Sequence, residues 1–194
     1  MRPRRSPALI LFLLAALLTA CGRQDAAPAR NPAPQAGTQA VASSSGLESA
    51  LDATALAFAE LVVSTDDQAV KLLDMGAARA ESARLRRFAG ELASVRRAEA
   101  TRLRGILDGA GARYVDNHAG HDMPGMPTEA ELRALSSAPD FDAQLTKLIR
   151  AHLTESATVA KSGASSVAHE ATKAVAEEMV RERESALRTL DALG

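Results

Sequence analysis

The chain has few of the residues that usually build cores and carry chemistry. Its 194 residues include no tryptophan, one tyrosine, four phenylalanines and one cysteine. A lone cysteine excludes an internal disulfide, so stability must come from packing. The shortage of aromatics and the lack of β-branched runs argue against strands. Catalytic signatures are missing too: there is no Gly-x-Ser-x-Gly elbow, no P-loop and no Rossmann glycine pattern. There is no Glu-x-x-His, which di-iron bundles repeat on two helices. His169-Glu170 is followed by Ala171, Thr172 and Lys173, so it is not the zinc motif His-Glu-x-x-His. The chain reads as a protein that is not an enzyme. Long hydrophobic runs are also absent, since the apolar run at residues 8–20 falls short of the roughly 20 residues that span a bilayer.

That run reads instead as the h-region of a signal peptide, behind a positive start containing Arg2, Arg4 and Arg5. It ends in Leu18-Thr19-Ala20-Cys21-Gly22, which resembles a bacterial lipobox. The resemblance implies cleavage after residue 20 and a diacylglyceryl anchor on Cys21, holding the protein to the cell membrane on its extracytoplasmic face. Without residues 1–20 the chain keeps 20 Lys+Arg against 24 Asp+Glu, a net charge of −4, which argues against nucleic acid as a partner. Residues 21–46 comprise the anchored cysteine and a tether rich in Ala, Pro, Gln, Gly and Ser. Residues 47–194 suffice for one compact domain.

Within that domain, apolar residues recur at helical spacing. Phe58, Leu61, Val62, Thr65, Ala69, Leu72 and Gly76 form one stripe. Leu85, Phe88, Leu92, Val95, Leu103 and Ile106 form a second, punctuated by Gly109 and Gly111. Thr128 and Glu131 read as the capping box of a short helix. A third long helix starts at Pro139-Asp140 and is expected to break near Gly163, and the fourth runs from about Ser166. The two helix pairs match at a constant offset of 87 residues: Phe58 with Leu145, Val62 with Ile149, Arg96 with Arg183, Leu103 with Leu190. The expectation is all-α: a four-helix bundle of two α-hairpins, at about 47–109 and 140–194, joined by a long crossover at 110–139.

The crossover holds the densest group of ligand-type residues, His118-Ala-Gly-His121-Asp122-Met123-Pro124-Gly125-Met126-Pro127. Imidazole and thioether together suit Cu(I), and His-x-x-His serves Cu(II). The ordinary reading is a linker whose methionines pack on the bundle. His152 is the one titratable residue assigned to a core stripe. It reads either as a buried histidine bonded to a neighbouring carboxylate or carbonyl, or as a surviving metal or proton site, with Glu155 on the same face. His169 reads as a solvated residue opening the last helix. Arg96, Arg97, Arg181 and Arg183 read as solvated surface with acidic partners.

The stretch from Phe58 to Leu72, the group His121-Asp122-Met123-Pro124-Gly125-Met126, and the segment from Phe141-Asp142 to Ala160 together resemble the bacterial domain-of-unknown-function family 305. The resemblance implies a ferritin-like bundle of the cell envelope, with paired histidines on the first helix of each hairpin and methionines in the crossover. Some members are thought to handle copper or other soft metals. Here the paired histidine positions fall on Thr65, Asp66, His152 and Leu153, so three of four are lost, and the glutamines of the second helices become Arg96, Arg97, Arg183 and Glu184. Two functions follow. One is weak copper or soft-metal binding by His118, His121, Met123 and Met126, with His152 as a further ligand. The other is a metal-free structural or protein-interaction module that meets another envelope protein. The balance favours a bundle that has kept its shape and dropped its chemistry.

Overall fold

A computed structural model describes residues 51–193. The signal segment, Cys21 and the tether lie outside the described residues, as does Gly194. The described chain forms α1 (Ala53–Arg79), α2 (Ala83–Gly109), α3 (Glu129–Ser136), α4 (Phe141–Ser166) and α5 (Glu170–Asp191), with no strand among the described residues. Helix α1 pairs with α2, α4 pairs with α5, and the hairpins meet chiefly through α1 and α4. This is the expected bundle of two α-hairpins, with α3 lying in the crossover.

The helix starts are set by local chemistry. Asp52 accepts from the Ala55 amide at 2.8 Å, and Asp140 accepts from the Ala143 amide at 3.0 Å. Thr128 and Glu131 form the full capping box of α3. Each device satisfies amides that have no partner inside the helix. His169 caps α5, its Nδ1 accepting from the Thr172 amide at 3.3 Å, so it has a structural role beyond the solvated one expected of it.

The turn between α1 and α2 falls at residues 80–82 and is held by Asp142, whose carboxylate accepts from the Glu81 and Ser82 amides, each at 2.9 Å. The second turn departs from expectation. Helix α4 does not break at Gly163 but runs to Ser166. Gly163 is a packing residue: a Cβ there would lie 2.3 Å from the Phe58 ring, so glycine is what lets α1 and α4 approach.

The apolar core comes in two clusters. One gathers Leu72, Leu73, Leu92, Leu145, Ile149, Leu153 and Leu190. The other gathers Val62, Val63, Leu103, Leu107, Val175 and Met179. Between them, all four long helices place polar residues inward: Ser64 and Asp66 on α1, Arg96 on α2, His152 and Ser156 on α4, Arg183 on α5. The core is a stack of apolar, polar and apolar layers.

Candidate functional site

The polar layer centres on two arginines. Arg96 and Arg183 each have 0% of their surface exposed, as does Asp66. This overturns the reading of Arg96 and Arg183 as solvated surface. The helix register explains why. Arg96 continues the buried line Leu85, Leu92, Arg96, Ala100, Leu103, and Arg183 continues Met179, Arg183, Ala186, Leu190. Val95, expected on the core stripe, is 38% exposed. Charge suggested surface, but helical phase decided burial. The repeat thus brings one arginine from each hairpin to the same layer.

Their partners are carboxylates. Arg183 donates to both oxygens of Glu99, at 2.6 and 2.7 Å, a bidentate grip. It also reaches Glu182 at 3.1 Å, Asp66 at 3.4 Å and the Ser156 hydroxyl at 3.3 Å. Arg96 donates to Glu182 and pairs with Glu99 at 3.4 Å and Asp66 at 3.9 Å. The acids do not follow the repeat, since the positions 87 residues from Asp66 and Glu99 are Leu153 and Ala186. Burial raises the Asp66 carboxyl to about 6, against the pull of Arg96. Burial, and then the Asp66 carboxylate beside it, push Glu99 upward as well. Three carboxyls facing two guanidiniums leave one negative charge in excess. Protonating one carboxyl of the buried pair Asp66 and Glu99, both of them raised, cancels it, because a low-dielectric site disfavours net charge.

His152 borders this layer from α4 and is 1% exposed. Its ring lies 3.2 Å from the Gly125 carbonyl through Nδ1, so Nδ1 carries the proton and donates it. Its Nε2 is buried without a partner among the described residues. Burial, then the nearby Arg96 charge, lower its pKa to about 3, so the ring is neutral when folded. Of the two readings of His152, the one bonded to a carbonyl matches the geometry.

The crossover is strapped over α1 and α4. Asp116 accepts from the Ser64 hydroxyl at 2.8 Å, and Asn117 donates to Glu60 at 3.2 Å. Lys71 pairs with Glu129 at 2.7 Å. Gly125 has φ +72°, and a Cβ there would fall 2.4 Å from the Glu155 side chain, so glycine is required for this approach. Two tight turns organise the ligand-type residues: the His121 amide donates to the His118 carbonyl, and the Met126 amide to the Met123 carbonyl, each at 3.0 Å. Met126 is 4% exposed and packs on the bundle, Met123 and His118 are half-buried, and His121 is exposed. Asp122, Met123 and Met126 line one cavity of about 200 Å³. His118 and His121 do not line it. His152 lines a separate, smaller cavity with Pro124, Gly125, Glu155 and Met179. The five residues proposed as one ligand set are therefore spread over two cavities and a turn.

The bundle layer does not fit a metal ion. Its cation positions are held by two guanidiniums, and no cluster of three His, Cys, Asp or Glu suited to an ion occurs among the described residues. The sequence reading missed Arg96, Arg183, Glu99 and Glu182 as an interior site. Their spacing from Leu103, Leu190 and Met179 was the signal available.

None of the curated proteins matches the chain. The fold has solved relatives. The crystal structure of a DUF305 fragment from Deinococcus radiodurans superposes with a TM-score of 0.65 at 18% identity, over 74% of this chain and 97% of that one. That of a DUF305 protein from Streptomyces coelicolor, described as secreted, superposes with a TM-score of 0.66 at 24% identity, over 72% of this chain and 91% of that one. At these identities the likeness speaks for the fold. The sequence profile of the domain of unknown function DUF305 matches residues 55–193, nearly the whole of the described bundle, and the chain belongs to that family.

Proposed function

We propose that the chain is an extracytoplasmic, metal-free bundle, held at the membrane by a lipid on Cys21, that serves as a structural or protein-interaction module and not as an enzyme. The observation that carries this reading is the pair of buried arginines. A metal ion beside them would be opposed by about 4 kcal/mol per guanidinium and unit charge at a separation of about 4 Å and an effective dielectric near 20. The secreted relative from Streptomyces coelicolor supports an extracytoplasmic setting. No described helix is long and apolar enough to cross a membrane, and the attachment in this reading is the lipid on Cys21.

Metal analysis of the protein isolated from its native envelope tests the reading. The expected result is no stoichiometric transition metal, and a melting temperature unchanged by chelator. Stoichiometric copper that survives desalting would refute it. Replacing Cys21 with Ser is expected to release the protein from the membrane fraction, and retention of the variant there would remove the anchor.

A second reading keeps soft-metal binding in the crossover. Its support is the cavity shared by Met123, Met126 and Asp122. Titration with Cu(I) against a competing chelator separates the two. Uptake lost when His118, His121, Met123 and Met126 all become Ala favours the crossover, and uptake lost on His152→Ala favours the bundle.

A further inference from the structure

The hairpins meet chiefly through α1 and α4, and a groove of about 280 Å³ lies between α2 and α5. Val95, Ala98 and Glu99 line it from α2, and Val175, Glu178 and Glu182 from α5. One wall is apolar and open, since Val95 is 38% exposed and Ala98 is exposed beside it. The floor is acidic. Glu99 and Glu182 are the acids of the arginine layer that reach the surface, with side chains 10% and 25% exposed. Both arginines hold Glu182 through Oε2, and neither hydrogen bond uses Oε1. At the rim Arg102 pairs with Glu178 at 2.7 Å. Asp66, Glu99, Glu178 and Glu182 thus face Arg96, Arg102 and Arg183, four carboxyls against three guanidiniums. His152, on α4, is neutral. One proton balances the set in the free chain, and one external cation would balance it as well.

We propose that this groove docks a lysine carried on an amphipathic helix of another envelope protein, with its ammonium on Glu182 and its apolar surroundings on Val95 and Ala98. The inference names a partner surface for the protein-interaction reading and rests on it. A groove between two helices takes the ridge of a third. The lysine stem buries along an apolar wall while its head offers three donors to the acid. Arg96 and Arg183 hold the Glu182 carboxylate in place before the partner arrives, so less freedom is lost on binding. The same acids repel an anionic lipid surface.

The test uses the full chain and a fluorescent helical peptide of Leu and Lys at physiological salt, followed by anisotropy. Two control peptides carry Glu for every Lys, or Ser for every Leu. The Leu/Lys peptide is expected to bind with a Kd below about 100 µM and at least about tenfold more tightly than either control. Val95→Lys, at an exposed position, is expected to weaken binding at least about tenfold, and Ala130→Lys, which adds the same charge on exposed α3, less than about twofold. Glu182→Gln, which keeps an acceptor for both arginines, is expected to match Val95→Lys. The bound ammonium displaces a proton, so affinity is expected to rise at least about fivefold from pH 6 to pH 8.

Equal binding by Val95→Lys and Ala130→Lys overturns the proposal, since overall charge would then hold the peptide. So does a Ser/Lys control that binds as tightly, or an affinity that pH does not change. Sedimentation of the chain alone tests the other occupant: self-association abolished by Val95→Lys would assign the groove to a second copy and refute the proposal. Circular dichroism checks each variant, and the exposed positions 95 and 130 keep the comparison decisive if Glu182→Gln unfolds. Copper on the native protein would defeat the metal-free reading while leaving these outcomes unchanged.

Discussion

His152 ties the crossover to the bundle core, and replacing it is expected to change how stability depends on pH. In the folded chain its pKa is about 3, against 6.5 when exposed, because burial and the Arg96 charge disfavour the imidazolium. The folded state therefore binds fewer protons than the unfolded state below about pH 6.5. The stability contributed by the neutral ring is present above that pH and is lost as pH falls toward 3. Well inside that window each pH unit costs about 1.4 kcal/mol, and because the unfolded ring is half protonated at pH 6.5, acidification from pH 6.5 to 4.5 removes about 2.3 kcal/mol. For a domain of this size that is a fall in melting temperature of about 7 °C. Asp66 and Glu99 oppose it, since burial raises both carboxyls and the folded state gains stability as pH drops toward their ordinary values of 3.8 and 4.5. The parent chain alone therefore shows a flattened profile, and the informative quantity is its difference from His152→Gln. Urea unfolding of both proteins across this range gives that difference. The parent is expected to lose stability relative to the variant as pH falls, by the amount above. A pH-independent difference would show that the imidazole is not buried neutral, and the geometry assigned to the strap would be wrong.

Four further outcomes follow from the packing. Gly163→Ala drives a methyl into the Phe58 ring and is expected to cost about 1–3 kcal/mol in urea unfolding. Arg183→Ala leaves Glu99 without its bidentate partner and is expected to cost about 3–5 kcal/mol, detectable as loss of helix on mild heating. Gly125→Val meets both a positive φ and the Glu155 side chain, so amide exchange at residues 122–127 is expected to quicken while the four long helices keep their protection. Asp74→Ala breaks an exposed pair with Arg97 and is expected to change stability by less than about 1 kcal/mol.

The fold was legible where the sequence carries local instructions. The capping box at Thr128, the start at Asp140 and the stop at Gly109 needed only neighbours within one turn of helix. The offset of 87 residues exposed the paired hairpins because each hairpin repeats the same heptad spacing. What was hidden depends on distant partners. Gly163 reads as a helix breaker until the Phe58 ring, from another helix, explains it as a packing residue. Arg96 and Arg183 read as surface because arginine is seldom fully buried unless paired, and their partners Glu99, Glu182 and Asp66 come from three helices. The neighbouring Val95 made the wrong register plausible, since it gave the stripe an apolar residue one step away. In the crossover, residue types pointed to a metal, whereas the backbone set Met126 against the bundle and left His121 outside.

The layered core also settles how the hairpins are aligned. Two apolar helix pairs can slide past one another by a heptad at modest cost, since leucine replaces leucine along the seam. Here the seam is indexed by charge. Sliding α5 by one heptad would bring Ala176 or Leu190 to the level of Arg183 and leave Glu99 without its bidentate partner in a buried site. An uncompensated buried charge costs several kcal/mol, comparable with the whole stability of a small domain. The arginine layer therefore works as a dowel between the two halves, making the native alignment the one arrangement in which every helix is both packed and electrically balanced.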